Sequence, residues 1–250
     1  MGLKNIIGKL VFGELSGELS EFGLAVEQRV VRELNAQPHS QFAELLDLKN
    51  LKGESTGYVR AFKADKLEKI ASLSIDIMPG MRYFNIHIIP EPHYNIPRYN
   101  FEGMVTTKGS QLSMDLYHDM DIVMDFEFIN QHYSGLAKTF AKAKKHKSIR
   151  LEPSKLPHMR ALCSPYFLLA NKVSSEDIYT MQHYAMSYLD EWLKIYRQAE
   201  LLSAEAAETR LDRRLHIARM IIDNDPDRHQ VVSTYGEELT QLIERAAMLQ

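Results

Sequence analysis

The spacing of apolar residues changes twice along this chain, and that change narrows the folds open to it. Over roughly the first 45 residues Leu15, Leu19, Phe22, Leu24, Val26, Val30, Val31 and Leu34 recur at helical spacing, and Pro38 closes the run. From about Gly57 the period drops to two. Within residues 69–81, Ala71, Leu73, Ile75 and Ile77 alternate with Ser72, Ser74 and Asp76, which reads as a half-buried strand ended by the turn Pro79-Gly80. Residues 82–89 put Phe84, Ile86 and Ile88 on one face and Tyr83, Asn85 and His87 on the other. Two more alternating runs, 101–106 and 111–117, flank a turn at Thr107-Lys108-Gly109-Ser110. The middle of the chain is therefore a meander of antiparallel strands.

The second half returns to helix. Residues 126–133 and the basic run 138–147 come first, and an apolar stretch at 159–170, beyond Pro153 and Pro157, reads as a returning strand. Ser174-Ser175-Glu176-Asp177 resembles a capping box opening a helix over 178–198, with Met181, Tyr184, Ala185, Tyr188, Trp192 and Ile195 as one stripe. A further helix over 205–222 stops at Asn224-Asp225-Pro226, because proline cannot continue it, and a last one runs from Ser233 to the end. Helix, antiparallel strands, then helices imply an α+β fold, with residues 1–250 as one domain and helices covering the sheet.

Composition removes several functions. The chain is 45% hydrophobic and 25% charged with a net charge of −3, so bulk electrostatics do not favour nucleic acid. No apolar stretch approaches the ~20 residues that span a bilayer. The N-terminal segment carries early acids and lacks a small-residue cleavage site, and Gly2 lacks the hydroxyl residue of a myristoylation signal, so a cytoplasmic protein is expected. The single cysteine, Cys163, permits no intrachain disulfide and no cysteine-ligated iron–sulfur cluster. Glycine-rich phosphate loops and zinc or serine-hydrolase motifs are absent. Asp223, Asp225 and Asp227 imitate a calcium loop but put Arg228 where glycine is needed and Thr234 where glutamate is needed. The ten histidines lack ligand spacing, and no metal site is expected.

Two stretches carry a resemblance. One is Ile89-Pro90-Glu91-Pro92-His93-Tyr94-Asn95-Ile96-Pro97-Arg98-Tyr99-Asn100-Phe101-Glu102, continuing through the hairpin to Asp115; the other is Asn224-Asp225-Pro226-Asp227-Arg228 followed by Tyr235-Gly236. In order and spacing they resemble the ferredoxin-dependent bilin reductases, over roughly residues 55–250, with Ser164-Pro165 as a weaker third element. Residues 97–133 are also similar to the red chlorophyll catabolite reductases, a sister group. The resemblance implies an α/β/α sandwich that holds an open-chain tetrapyrrole such as biliverdin between sheet and C-terminal helices. It implies an oxidoreductase acting on CH–CH bonds by radical steps, with ferredoxin as external donor and no bound cofactor. A monomer is expected.

By that resemblance Glu102 matches the central acid, usually Asp in bilin reductases and Glu in the sister group, and Asp225 matches the C-terminal proton donor. Desolvation is expected to raise such carboxyls toward neutrality. Asn85 stands where reductases of the D-ring vinyl group carry histidine; it can hydrogen-bond a pyrrole or lactam but cannot act as an acid. His87, on the same strand face, is the substitute proton carrier, and His216 falls where some members carry histidine. Arg228, Arg150 and Arg160 are the candidate propionate partners. Lys138, Lys142, Lys144, Lys145, His146, Lys147 and Arg150 form a positive patch suited to an acidic ferredoxin. Two other readings stand beside the reductase: a non-catalytic tetrapyrrole carrier on the same fold, and a helical signalling module using the 178–198 stripe.

Overall fold

The computed structural model describes residues 3–248, with side chains from residue 12 onward; Gly2 and the last two residues lie outside it. Helix α1 (Leu3–Glu33) leads through β1 (Gln37–Pro38), a 3-10 segment (Ser40–Leu46) and β2 (Leu48–Lys49) into β3 (Ser55–Ala64) and β4 (Leu67–Met78). The hairpins continue as β5 (Met81–Pro90), β6 (Arg98–Thr106) and β7 (Gly109–Tyr117). Then follow α2 (Phe126–His132), α3 (Ser134–Lys145), β8 (Arg150–Leu151), α4 (Pro157–Leu162) and β9 (Leu168–Asn171). Helices α5 (Ser175–Gln198), α6 (Ala204–Asp223), α7 (Arg228–Tyr235) and α8 (Glu237–Ala247) complete the chain. The sheet is antiparallel, in the order β1-β3-β4-β5-β6-β7-β9-β8, with β2 also on β3.

Alternation along the strands divides the molecule into layers. Phe84, Ile86 and Ile88 of β5, Phe101 of β6 and Leu112, Met114 and Leu116 of β7 face α1 and α5, all fully buried. Phe22 of α1 stacks on Phe101 at 4.4 Å. The helix lies so close that a Cβ on Gly23 would come within 2.3 Å of the Phe84 ring, so only glycine fits there. On the opposite face Leu73, Ile75 and Ile77 of β4 meet Phe42, Tyr235 and Ile243 in a second, smaller core. The architecture is the expected α+β sandwich of helix, sheet and helix.

Some elements differ from expectation. Helix α1 ends at Glu33, and the following apolar positions Phe42 and Leu45 fold as 3-10 turns against the second core. Strand β4 is buried on both faces: Ser72 and Ser74 pair with Ile86 and Phe84 on the α1 side. Small side chains there admit the helical layer, and the alternation that reads as half-buried comes from them. Residues 159–170 split into the end of α4 and the strand β9, because Cys163 and Ser164 adopt a loop between them. The last helix breaks at Gly236, whose φ of +80° is left-handed, giving α7 and α8 in place of one rod. Ser174 caps α5 as anticipated, its hydroxyl accepting from the Asp177 N–H at 3.2 Å, and the aromatic stripe of α5 is core.

Candidate active site

The second face of the sheet is not fully packed. Helices α6 to α8 and the α4 loop roof β4–β7 but leave a cavity of about 350 Å³. Its walls are mostly apolar, from Ile75, Ile77, Met104, Ile221, Ile222 and Ile243. Into that surface the strands project every second residue: Tyr83, Asn85 and His87 from β5, then Arg98, Asn100 and Glu102 from β6. The pairing Asn85↔Glu102 and His87↔Asn100 makes these two rows neighbours.

Glu102 is half-buried, and both its oxygens are used. The Tyr83 hydroxyl donates to Oε2 at 3.0 Å and the Ser113 hydroxyl to Oε1 at 2.8 Å. Burial, then the Glu102 and Asp225 charges, hold the Tyr83 phenol well above its ordinary value, so it remains a donor. Asp225 stands across the cavity, at its mouth, on the loop where Pro226 ends α6. The residue is exposed on its outer side, yet desolvation of its carboxyl, with the nearby Asp227 charge, raises its pKa. The structure thus brings Glu102 and Asp225, more than a hundred residues apart in sequence, to one cavity.

Asn85 donates both available contacts from Nδ2, to Asn100 Oδ1 at 2.9 Å and the Phe101 carbonyl at 3.2 Å. Its Oδ1 is left to accept from a ligand N–H. His87 is buried, with Nδ1 3.0 Å from the Ala247 carbonyl. A carbonyl only accepts, so Nδ1 carries the proton, and Nε2 has no partner among the described residues. Burial and the Arg98 charge drop the imidazole to about 3. At neutrality it is uncharged, which removes the premise for His87 as a resting proton donor.

Of the expected arginines, only Arg228 reaches the cavity, and Glu237 and Glu244 already hold it at 2.7 Å each. Arg150 sits on the edge strand β8 with its side chain 82% exposed beside Glu152, Arg160 is exposed on α4, and His216 points outward from α6. None of these three lines the cavity. The helical spacing of His216 put it on the outer face of α6, while Arg214, two residues earlier, turns inward.

Sequence reasoning missed a buried ion cluster. Asp119, fully buried, accepts a hydrogen bond from Arg214 Nε at 2.9 Å and is ion-paired with Arg98 Nε at 2.7 Å. Burial alone would raise its carboxyl, but Arg98, Arg214 and Arg210 bring it down to about 2. Arg214 also meets Glu68 and the Pro90 carbonyl, and Arg210 donates to Asn95 Oδ1 and the Ile96 carbonyl. The cluster clamps α6 to the β5–β6 connection. Period-two counting back from Glu102 would have placed Arg98 and Asn100 on the cavity face.

Among the described residues no cluster of three or more metal-ligating side chains occurs, and no helix is long and apolar enough to cross a membrane. A sandwich whose sheet and C-terminal helices enclose a mostly apolar cavity with a few convergent polar groups, two acids among them, has the form of a small-molecule site. The comparisons give that class its family. The model of the ferredoxin-dependent bilin reductases matches residues 25–244, and the chain belongs to that family. It is 25% identical over 170 residues to a phycoerythrobilin:ferredoxin oxidoreductase of Prochlorococcus marinus (strain AS9601), a match spanning 65% of either protein's length. The crystal structure of tomato phytochromobilin synthase in complex with biliverdin shares the fold, with a TM-score of 0.76 at 15% identity, over 93% of this chain and 82% of that one.

Proposed function

We propose that this chain, acting as one monomeric domain, reduces a linear tetrapyrrole of the biliverdin type in single-electron steps, with reduced ferredoxin as donor and no prosthetic group of its own. The observation that carries this reading is the meeting of Glu102, Asp225 and Asn85 around one apolar cavity in a chain of this family. Saturating one double bond takes two electrons from two ferredoxins and two protons from the protein side. The sheet holds the conjugated plane, and the N–H groups of the pigment donate to Asn85 Oδ1. Glu102, aimed by Tyr83 and Ser113, is the inner proton donor. Asp225, whose desolvated carboxyl keeps its proton to higher pH than a free aspartate, is the outer one. His87, uncharged and tied to α8, is part of the cavity wall.

Ferredoxin would dock on the exposed lysines of α3, Lys138, Lys142, Lys144 and Lys145, with Lys147 and Arg150 beyond. Helix α3 packs on α5 in the layer opposite the cavity, so an electron entering there crosses the sheet. The cytoplasm suits such a pair of soluble partners. The test is anaerobic incubation of the protein with biliverdin and a reduced ferredoxin system, followed by absorbance and chromatography. A new, more reduced pigment supports the reductase. A stable bound spectrum without product makes the chain a carrier, and no spectral change with any bilin removes the tetrapyrrole reading.

A further inference from the structure

Three buried guanidiniums, Arg98, Arg210 and Arg214, cluster about Asp119: Arg98 and Arg214 pair with its carboxylate, Arg214 also with Glu68, and Arg210 acts on it through its charge. Two of the three hydrogen-bond inside the protein and do not line the cavity: Arg214 bonds Asp119, Glu68 and Pro90 with Nη2 left over, and Arg210 bonds Asn95 and Ile96 with Nε left over. Arg98 differs. Its Nε is ion-paired with Asp119 Oδ1 at 2.7 Å without hydrogen-bond geometry, its two Nη groups have no hydrogen-bonded protein acceptor among the described residues, and it lines the cavity while being 3% exposed. Its guanidinium lies 5.6 Å from the centre of the Tyr117 ring, which limits its movement. A desolvated cation with two unused donors and only a shared counter-ion gains most from an anion that brings oxygen pairs.

We infer that Arg98 is a specificity-determining residue that takes a carboxylate of the tetrapyrrole at the cavity wall beside Asp119, an inference that rests on the tetrapyrrole reading above. The arginines expected for that role do not compete: Arg228 is held by two glutamates at the mouth, and Arg150 and Arg160 lie outside. The spacing has a consequence for the pose. Arg98 and Glu102 are four residues apart on β6, about 13 Å at ~3.3 Å per residue. A carboxylate seated on Arg98 therefore leaves a ring remote from that carboxylate over Glu102. One propionate points inward, where a purely solvent-facing pair would leave the Arg98 guanidinium without a hydrogen bond.

The experiment is an absorbance titration of the wild-type protein, Arg98→Leu and Arg98→Lys with biliverdin and with its dimethyl ester at one pH, with circular dichroism confirming the fold of each. Wild type is expected to bind the ester about tenfold to hundredfold more weakly, Arg98→Leu to bind both pigments within about threefold, and Arg98→Lys to fall between. A merely structural Arg98 would weaken both pigments equally. An ester penalty of wild-type size in either folded variant overturns the assignment and leaves the tetrapyrrole reading standing. Should Arg98→Leu fail to fold, Arg98→Lys decides, because it keeps a cation beside Asp119 while losing the fork. Failure of the wild type to bind either pigment sinks the tetrapyrrole reading itself, and this inference with it.

Discussion

The two faces of the central sheet are made by the same strands, residue by residue, yet they do different work. Toward α1 and α5, β5–β7 present large apolar side chains packed until only glycine fits at Gly23. Toward α6–α8 they present Tyr83, Asn85, His87, Arg98, Asn100 and Glu102, with a cavity between. A filled face gains apolar burial at about 25 cal/mol per Å². The open face forgoes part of that gain and holds polar groups whose partners are incomplete. One layer thus keeps the sheet in place so that the other can tolerate a cavity and desolvated acids.

If the packed face carries the stability, truncating it must cost more than any change on the open one. Phe101→Ala removes a fully buried ring stacked on Phe22 and should cost about 3–5 kcal/mol in urea unfolding. A cost under about 1 kcal/mol would mean that the two faces share the stability evenly. Glu102→Gln, on the same strand but the other face, should leave stability and pigment affinity near wild type while ferredoxin-driven turnover falls by about 10²–10⁴-fold. Wild-type turnover would remove Glu102 from the chemistry.

Asp115 sharpens the contrast, because it points to the cavity side of β7 but is sealed beneath Ser164, whose N–H and hydroxyl both donate to it. Burial pushes its carboxyl up to about 6 from 3.8 despite those donors. The folded chain thus keeps a proton that the unfolded chain releases, so this residue makes stability fall as pH rises from about 4 to about 6, then level off. Asp115→Asn should flatten that segment of the pH–stability curve relative to wild type; an unchanged difference across pH 4–6 would contradict it. The smallest effect belongs to the outer surface. Lys144→Glu with Lys145→Glu should lower turnover several-fold at low salt, less as salt screens the patch, with bilin affinity unchanged. Equal loss of both would place the ferredoxin contact elsewhere.

Much of the sheet was legible because a period of two has one physical meaning. Phe84, Ile86 and Ile88 are buried together, and Tyr83, Asn85 and His87 share the cavity, as their alternation requires. Helix boundaries at Ser174 and Asn224 followed from capping and from proline. Strand β4 was harder: serines read as solvent-facing, though a small polar residue is also what a tightly covered sheet admits. His216 and Arg214 sit two residues apart on one helix, and composition alone could not tell which of them turns inward.

By itself, then, the order of residues determined the local conformations, the two-sidedness of each strand and the kinship carried by Glu102 and the Asn224–Arg228 element, because these depend on neighbours within a turn or two. Which charges are buried, and whom they meet, came from the packing of distant elements. Asp119 collects Arg98 and Arg214 from distant strands and helices, Arg228 is taken by α8, and Arg98 is left facing the cavity. Desolvation and ion pairing depend on what packs around a group in space, and no spacing along the chain encodes that.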